Sequence, residues 1–173
     1  MSLYLMAVTS ENMKEQRIQG IGEECQLILE KRENRFLQRY NKAFWLITAF
    51  EGDITEGIKV RMETVDTIDE EIDEEMLSVL KELSELIGKK ECNFEKDEMS
   101  GKRNLQNLSK FLMKMICKEK KESVGIFLHC YTGLIDEEKI ELESVCEKVK
   151  NSDDIYNLLQ NMHRDILYMF KEE

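Results

Sequence analysis

Histidine and cysteine are the residues in this chain whose chemistry is easiest to put to work. His129 falls in the apolar stretch "SVGIFLHCYTGLI" (123–135), near the end of its most strand-like part. In layered α/β folds, sites form beyond the carboxyl ends of strands, so the position of His129 is suggestive. A thiol beside it would make a Cys–His pair, in which the imidazole helps form the nucleophilic thiolate. The five cysteines are Cys25, Cys92, Cys117, Cys130 and Cys146. Cys130 is a poor partner, because neighbouring strand residues point to opposite faces. Cys146 falls on the apolar stripe of an expected helix, where a buried thiol is inert, and Cys117 ends another. We therefore read His129 as the only catalytic candidate, and a structural histidine at a strand end as the simpler account of it. His163, beside Met162, reads as structural.

Other chemistries leave little trace. An odd number of widely spaced cysteines, without a C-x-x-C pair, does not describe a disulfide framework, and two histidines are too few to complete a zinc site. No dinucleotide, phosphate-loop, nucleophile-elbow or H-E-x-x-H motif occurs. No cofactor and no metal is expected. Asp66 to Glu75 holds seven acids in ten residues. It could be a cation site or an acidic docking patch. The apolar positions that follow (Ile72, Met76, Val79, Leu80, Leu83, Ile87) repeat as a helical stripe ended by Gly88, so the acids read better as a helix N-terminus complementing the macrodipole. The D-x-D-x-D-G loop of an EF-hand is missing.

Composition bounds the class. The chain has 173 residues, 42% apolar and 35% charged, which suits one domain with a core and a heavily charged surface. The net charge of −11 disfavours nucleic acid and anionic membrane as partners. Lys118 to Lys121 is short, interrupted by Glu119, and reads as a solvated turn. The N-terminal "MSLYLMAV" lacks a basic flank and the length of a signal segment. No run has membrane-spanning length. We expect a soluble, cytoplasmic protein with free thiols. Proline is absent, which excludes polyproline linkers.

The elements that would position His129 follow from periodicity. Met13 to Tyr40 carries a helical stripe (Ile18, Ile21, Cys25, Ile28 or Leu29, Phe36, Tyr40) and predicts one long amphipathic helix. "KAFWLITAF" (42–50) is short, aromatic and β-branched, which suits a strand buried on both faces. "IKVRMET" (58–64) alternates and predicts a half-exposed strand. "KKECNFE" (89–95) is a possible short strand. Leu105, Leu108, Phe111, Leu112, Met115 and Ile116 predict a helix, its methionines core rather than a soft peptide groove. Val124 to Tyr131 predicts a central strand. Two helices are then expected, one carrying Ile140, Leu142, Val145, Cys146 and Val149 with Asp136 as N-cap, the other from Ser152 through Ile155, Leu158, Leu159, Met162, Ile166 and Phe170. Strands alternating with helices predict an α/β domain over 42–173, a small, partly parallel sheet covered by amphipathic helices, with residues 1–41 as an N-terminal helical arm. The two apolar strands should lie side by side. The alternative is an all-α bundle.

From about Ala43 to Gly133 the order of elements resembles the large-subunit core of caspases. "AFWLITAF", "IDEEMLSVLKELSELIG", "KKECNFEKDEM" and "VGIFLHCYTG" follow the family's apolar first strand, acidic helix, short strand with an E-M-headed helix, and apolar strand ending at the catalytic histidine. By position His129 would match that histidine. The resemblance covers about half the chain. The chain departs from the family around His129, which is flanked by Leu128 and Cys130 rather than serine and glycine. No R-x-G loop follows the first strand, and no Q-A-C-R-G nucleophile segment occurs. The resemblance implies a truncated relative that cannot cleave peptides and that pairs or competes with active members in cell-death or immune signalling. Three functions fit the sequence: a non-enzymatic interaction or regulatory protein binding a protein partner or its own copies, an enzyme using His129 with a cysteine, and an all-α adaptor or assembly module.

Overall fold

The computed structural model describes residues 2–58, 94–118 and 124–173. The expected strand over 58–64 and helix over 72–88 lie outside them, Ile58 apart, as does most of the short strand over 89–95. The fold is α/β, built on a six-stranded mixed sheet rather than an all-α bundle. In chain order the elements are β1 (Ser2–Ser10), α1 (Glu15–Glu24), β2 (Leu27–Arg32), β3 (Lys42–Ala49), α2 (Phe94–Lys118), β4 (Val124–Tyr131), β5 (Glu143–Val149), α3 (Ser152–Leu159) and β6 (Ile166–Glu172), with a 3-10 turn at Gln38–Tyr40 before β3. The strands lie in the order β2-β3-β1-β4-β6-β5. All neighbours are antiparallel except β5 and β6, which run parallel.

The centre of the sheet is β1, and its sequence explains why. Leu5, Met6, Ala7 and Val8 are consecutive apolar residues, all fully buried. A strand of that kind is stable only with a covered layer on each side. Residues 1–41 are therefore no arm: they supply the central strand, an edge strand and a helix to the same sheet. The helix expected over 13–40 ends at Glu24. Gln26, at φ 61°, takes the left-handed conformation that ends a helix. "LILEKR" then alternates, with Leu27 and Leu29 buried and Ile28 and Glu30 exposed. Leu29 fits period two as well as a helical stripe, and pairing with β3 decides between them.

The apolar segments over 42–50 and 124–131 are strands, as expected, with β4 matching the expected ends. They are parallel to each other but not neighbours, because β1 lies between them and pairs antiparallel with both. The helix over 105–116 forms within α2, which also takes in Phe94 and Glu95 from the expected short strand.

Two C-terminal helices were expected where the chain forms β5, α3 and β6. Within 140–149 only Ile140 and Val149 are buried, while Val145 and Cys146 are exposed. The apparent stripe does not face a core; it belongs to an edge strand open on both sides. Asp136 caps no helix but sits in the loop before β5. The last helix starts at Ser152, where expected, held by Asn151 in a capping box with Asp154. It stops at Leu159, and after Asp165 at φ 62° the chain becomes β6, whose Leu167 faces one layer while Tyr168 and Phe170 face the other.

The sheet faces have different covers. One packs against α1, α2 and α3 through Trp45, Ile126, Leu128, Phe111, Leu112 and Ile155. The other, bearing Met6, Phe44, Leu46, Phe127 and Tyr131, is roofed by the loops 33–41 and 132–142 through Leu37 and Ile140. The expected helical cover is thus half of the arrangement. Gly125 shows how closely the strands pack: a Cβ there would lie 2.6 Å from Met169 Sδ and 2.8 Å from the Tyr168 carbonyl.

Candidate functional site

His129 lies on the loop-covered face. Along β4, Phe127, His129 and Tyr131 point one way and Ile126 and Leu128 the other. The imidazole stands edge-on to the Tyr131 ring, centroids 4.5 Å apart, and its side chain is only 11% exposed. Two acids flank it. Asp165 Oδ1 is hydrogen-bonded to Nδ1. Glu138 Oε1 lies 3.7 Å from Nε2, within ion-pair distance but beyond hydrogen-bond reach.

Backbone bonds deliver both carboxylates. The Asp165 amide donates to the Leu128 carbonyl at 2.9 Å, which sets residue 165 beside residue 129. Its left-handed conformation, one that aspartate tolerates, turns the chain into β6. Glu138 is fixed from the loop side: its carboxylate accepts from the Thr132 amide (2.9 Å), the Thr132 hydroxyl (3.0 Å) and the Gly133 amide (3.3 Å). Burial works against its charge, but these donors together with His129 outweigh it and hold the carboxyl below the ordinary range. The Tyr131 hydroxyl donates to Met6 Sδ. Burial pushes its pKa well up, reinforced by Glu138, Asp136 and Asp165, so the phenol stays neutral.

Asn34 completes the assembly. It is 2% exposed and uses its full bonding capacity. Its Nδ2 donates to the carbonyls of Ile135 (2.7 Å) and Glu138 (3.0 Å), and its Oδ1 accepts from the amides of Phe36 and Leu37. Tyr40 repeats the pattern, its hydroxyl accepting from the Leu142 amide at 3.0 Å. Arg39 donates to the Ile140 carbonyl at 3.1 Å. The two loops are thus stitched together polar group by polar group, with His129 beneath the seam.

A cleft of about 700 Å³ opens on the outer side of Asp165, lined also by Arg39, Glu141, His163 and Arg164. Asp165 is 49% exposed and stands between this cleft and the imidazole. His129 itself does not line the cleft, and its Nε2 is shut off from solvent without a hydrogen-bond partner. A general base must come within hydrogen-bond reach of the proton it removes. In this arrangement the nitrogen that would do so faces Glu138.

Among the described residues no thiol joins His129. Cys130 falls on the opposite face of β4, Cys25 is buried at the end of α1, and Cys117 and Cys146 are exposed on α2 and β5. Burial pushes the Cys25 thiol up, which keeps it protonated. Cys92 lies outside the described residues. His163 lines the outer cleft, its amide bonded to the Tyr168 hydroxyl at 3.1 Å. Among the described residues no group of three or more His, Cys, Asp or Glu is arranged to hold a metal ion, and no helix is long and apolar enough to cross a membrane.

Sequence reasoning found His129 and missed Asn34, Glu138 and Asp165. Glu138 is one of 36 acids and carries no mark of its own. Asp165 and Asn34 had a signal, as short polar residues at turns, but nothing local tells which long-range partner each will meet.

Comparison with known proteins found no matching family model, no similar curated protein and no similar solved structure.

Proposed function

We propose that this chain acts by binding another protein and not by catalysis, with His129 as a structural clamp. The observation that carries this reading is the enclosure of Nε2 between Glu138 and the loop cover, where no substrate proton reaches it. Both acids beside the imidazole have structural duties, Glu138 holding the turn at Thr132 and Asp165 opening β6. The net charge of −11 and, among the described residues, the edge strands β2 and β5 are suited to recognition by charge and by strand pairing.

Two measurements test it. Profiling with a mild thiol-directed electrophile should find no cysteine faster than a free thiol, and His129→Asn should lower stability without abolishing any turnover. Purification of the full chain from its native cells should return a defined complex, with a partner or with itself, in fixed stoichiometry by light scattering. A clean monomer, or an activity lost with His129→Asn in a folded protein, overturns the reading. The narrower version, a modulator of cell-death or immune signalling, rests on the caspase resemblance alone. Its check is the rate of peptide cleavage by active caspases with and without this chain, an unchanged rate removing it.

A further inference from the structure

The surface between the end of α1 and the outer face of α2 is locally basic on a chain that is acidic as a whole. Lys110, Lys114 and Lys118 follow one another at four-residue spacing on α2, which places them on one side of the helix. At 1.5 Å per residue the row is about 12 Å long. All three are exposed. They border a groove of about 460 Å³ whose other wall is Glu24, Cys25 and Gln26, with half-buried Met113 contributing an apolar surface. Glu24 is the only carboxylate among the described residues that line the groove, and it bonds Lys114 at 2.9 Å. Neither Lys110 nor Lys118 forms a salt bridge among the described residues, although Lys118 stands near enough to Glu24 to help, after Lys114, to hold its carboxyl down. Three ammonium groups thus face one carboxylate, on a chain whose net charge is −11.

A compact anion would engage only part of a row about 12 Å long. A row one turn apart calls for a ligand whose negative charges repeat at the same interval, and the apolar surface beside the row calls for one that is greasy on an adjoining stripe. We propose that this groove docks an acidic amphipathic segment of a protein partner. Its carboxylates pair with Lys110 and Lys118, compete with Glu24 for Lys114, and leave its apolar side chains against Met113. The proposal rests on the interaction reading above and gives that reading its docking surface. Nucleic acid offers the same repeating charge, but the acidic remainder of the chain repels a long polyanion that cannot confine itself to the groove.

Fluorescence anisotropy of the full chain with a labelled synthetic helical peptide provides the test. The peptide carries glutamates at three positions four residues apart and leucines on the neighbouring stripe. Saturable binding is expected, weakened at least about tenfold both by K110E/K118E and by changing the peptide glutamates to glutamine. Charge reversal at an exposed lysine elsewhere, K171E, should leave affinity within about twofold, and circular dichroism should show all variants folded. Equal affinity of the double variant and the parent, or a single-stranded oligonucleotide that binds more tightly than the peptide, overturns the proposal. If K110E/K118E still captures the native partner in full stoichiometry, the groove is not the docking surface and the interaction reading survives. If the parent chain has no partner, the interaction reading itself fails.

Discussion

The two faces of the sheet reach the same degree of burial by different means. On one, three helices lay apolar stripes over the strands, and the contacts are non-directional: Phe111, Leu112, Ile155 and Leu159 need only fill space. On the other, loops do the covering. A loop has no repeating internal bonds, so each of its buried polar groups must find a partner elsewhere. Asn34 and Tyr40 supply those partners between the loops 33–41 and 132–142, and Glu138 supplies one to Thr132 within the second loop. Each face is therefore vulnerable in its own way. The helical face fails when volume is removed, and the loop face fails when a hydrogen-bonding atom is removed.

The largest expected effect comes from the helical face. Phe111 is fully enclosed at the centre of the layer between α2 and the sheet. Phe111→Ala removes a ring that the fixed strands beneath cannot replace, at a cost of about 3–5 kcal/mol by urea denaturation. Because the contact is volume alone, Phe111→Leu should recover most of the loss. A recovery no better than alanine would show that something more directional than packing operates on that face.

Asn34 offers the matching test on the loop face, and the expected loss is somewhat smaller. Asn34→Ala strips partners from two carbonyls and the Phe36 amide at a site that is almost closed, while the Leu37 amide keeps its bond to the Asn34 carbonyl. Leaving buried groups unpaired costs about 1–3 kcal/mol each, partly relieved as water enters, so a total of about 2–4 kcal/mol is expected. Here a size-matched change should not rescue. Asn34→Leu fills the volume and leaves the same groups unpaired, so it should be no better than alanine. The contrast between Phe111→Leu and Asn34→Leu is the sharpest way to break the distinction between the faces.

The same distinction explains how much was legible in the sequence. Strands β3 and β4 and the helix over 105–116 were readable because burial imposes a pattern on consecutive residues. "AFWLI" and "VGIFLH" declare themselves without knowledge of their neighbours. β5 and β6 were not: β5 is an edge strand exposed on both sides and carries no strict alternation, while Ile166 and Phe170 in β6 keep the four-residue spacing of a helix. Val145 and Cys146 happened to mimic a helical stripe that points at nothing. β1 was hidden by its place at the terminus, where an apolar run has few residues to set its register against. At the site, His129 was legible as a rare residue type, but its partners were not. Asp165 and Glu138 reach it only through the bridge at Leu128 and the turn at Thr132, contacts set by tertiary structure.

The smallest effect concerns charge beneath the seam, and it has a definite sign. Glu138 is held below the ordinary carboxyl range of about 4.3, so the folded state binds its proton less tightly than the unfolded chain does. Its contribution to stability is therefore complete above that ordinary value and disappears as the pH falls through the lowered folded value. Glu138→Gln keeps the shape and an acceptor oxygen but cannot ionise. The stability gap between parent and variant should be constant from neutral pH to about 5, then close on further acidification. The Thr132 and Gly133 amides, which donate to this carboxylate, should lose hydrogen-exchange protection over the same acid range, corrected for intrinsic rates, while amides in the core of α2 keep theirs. A gap that widens toward low pH would mean that the carboxylate is a strain on the folded state, and His129 would then be better described as neutralising a liability than as clamping the loop cover.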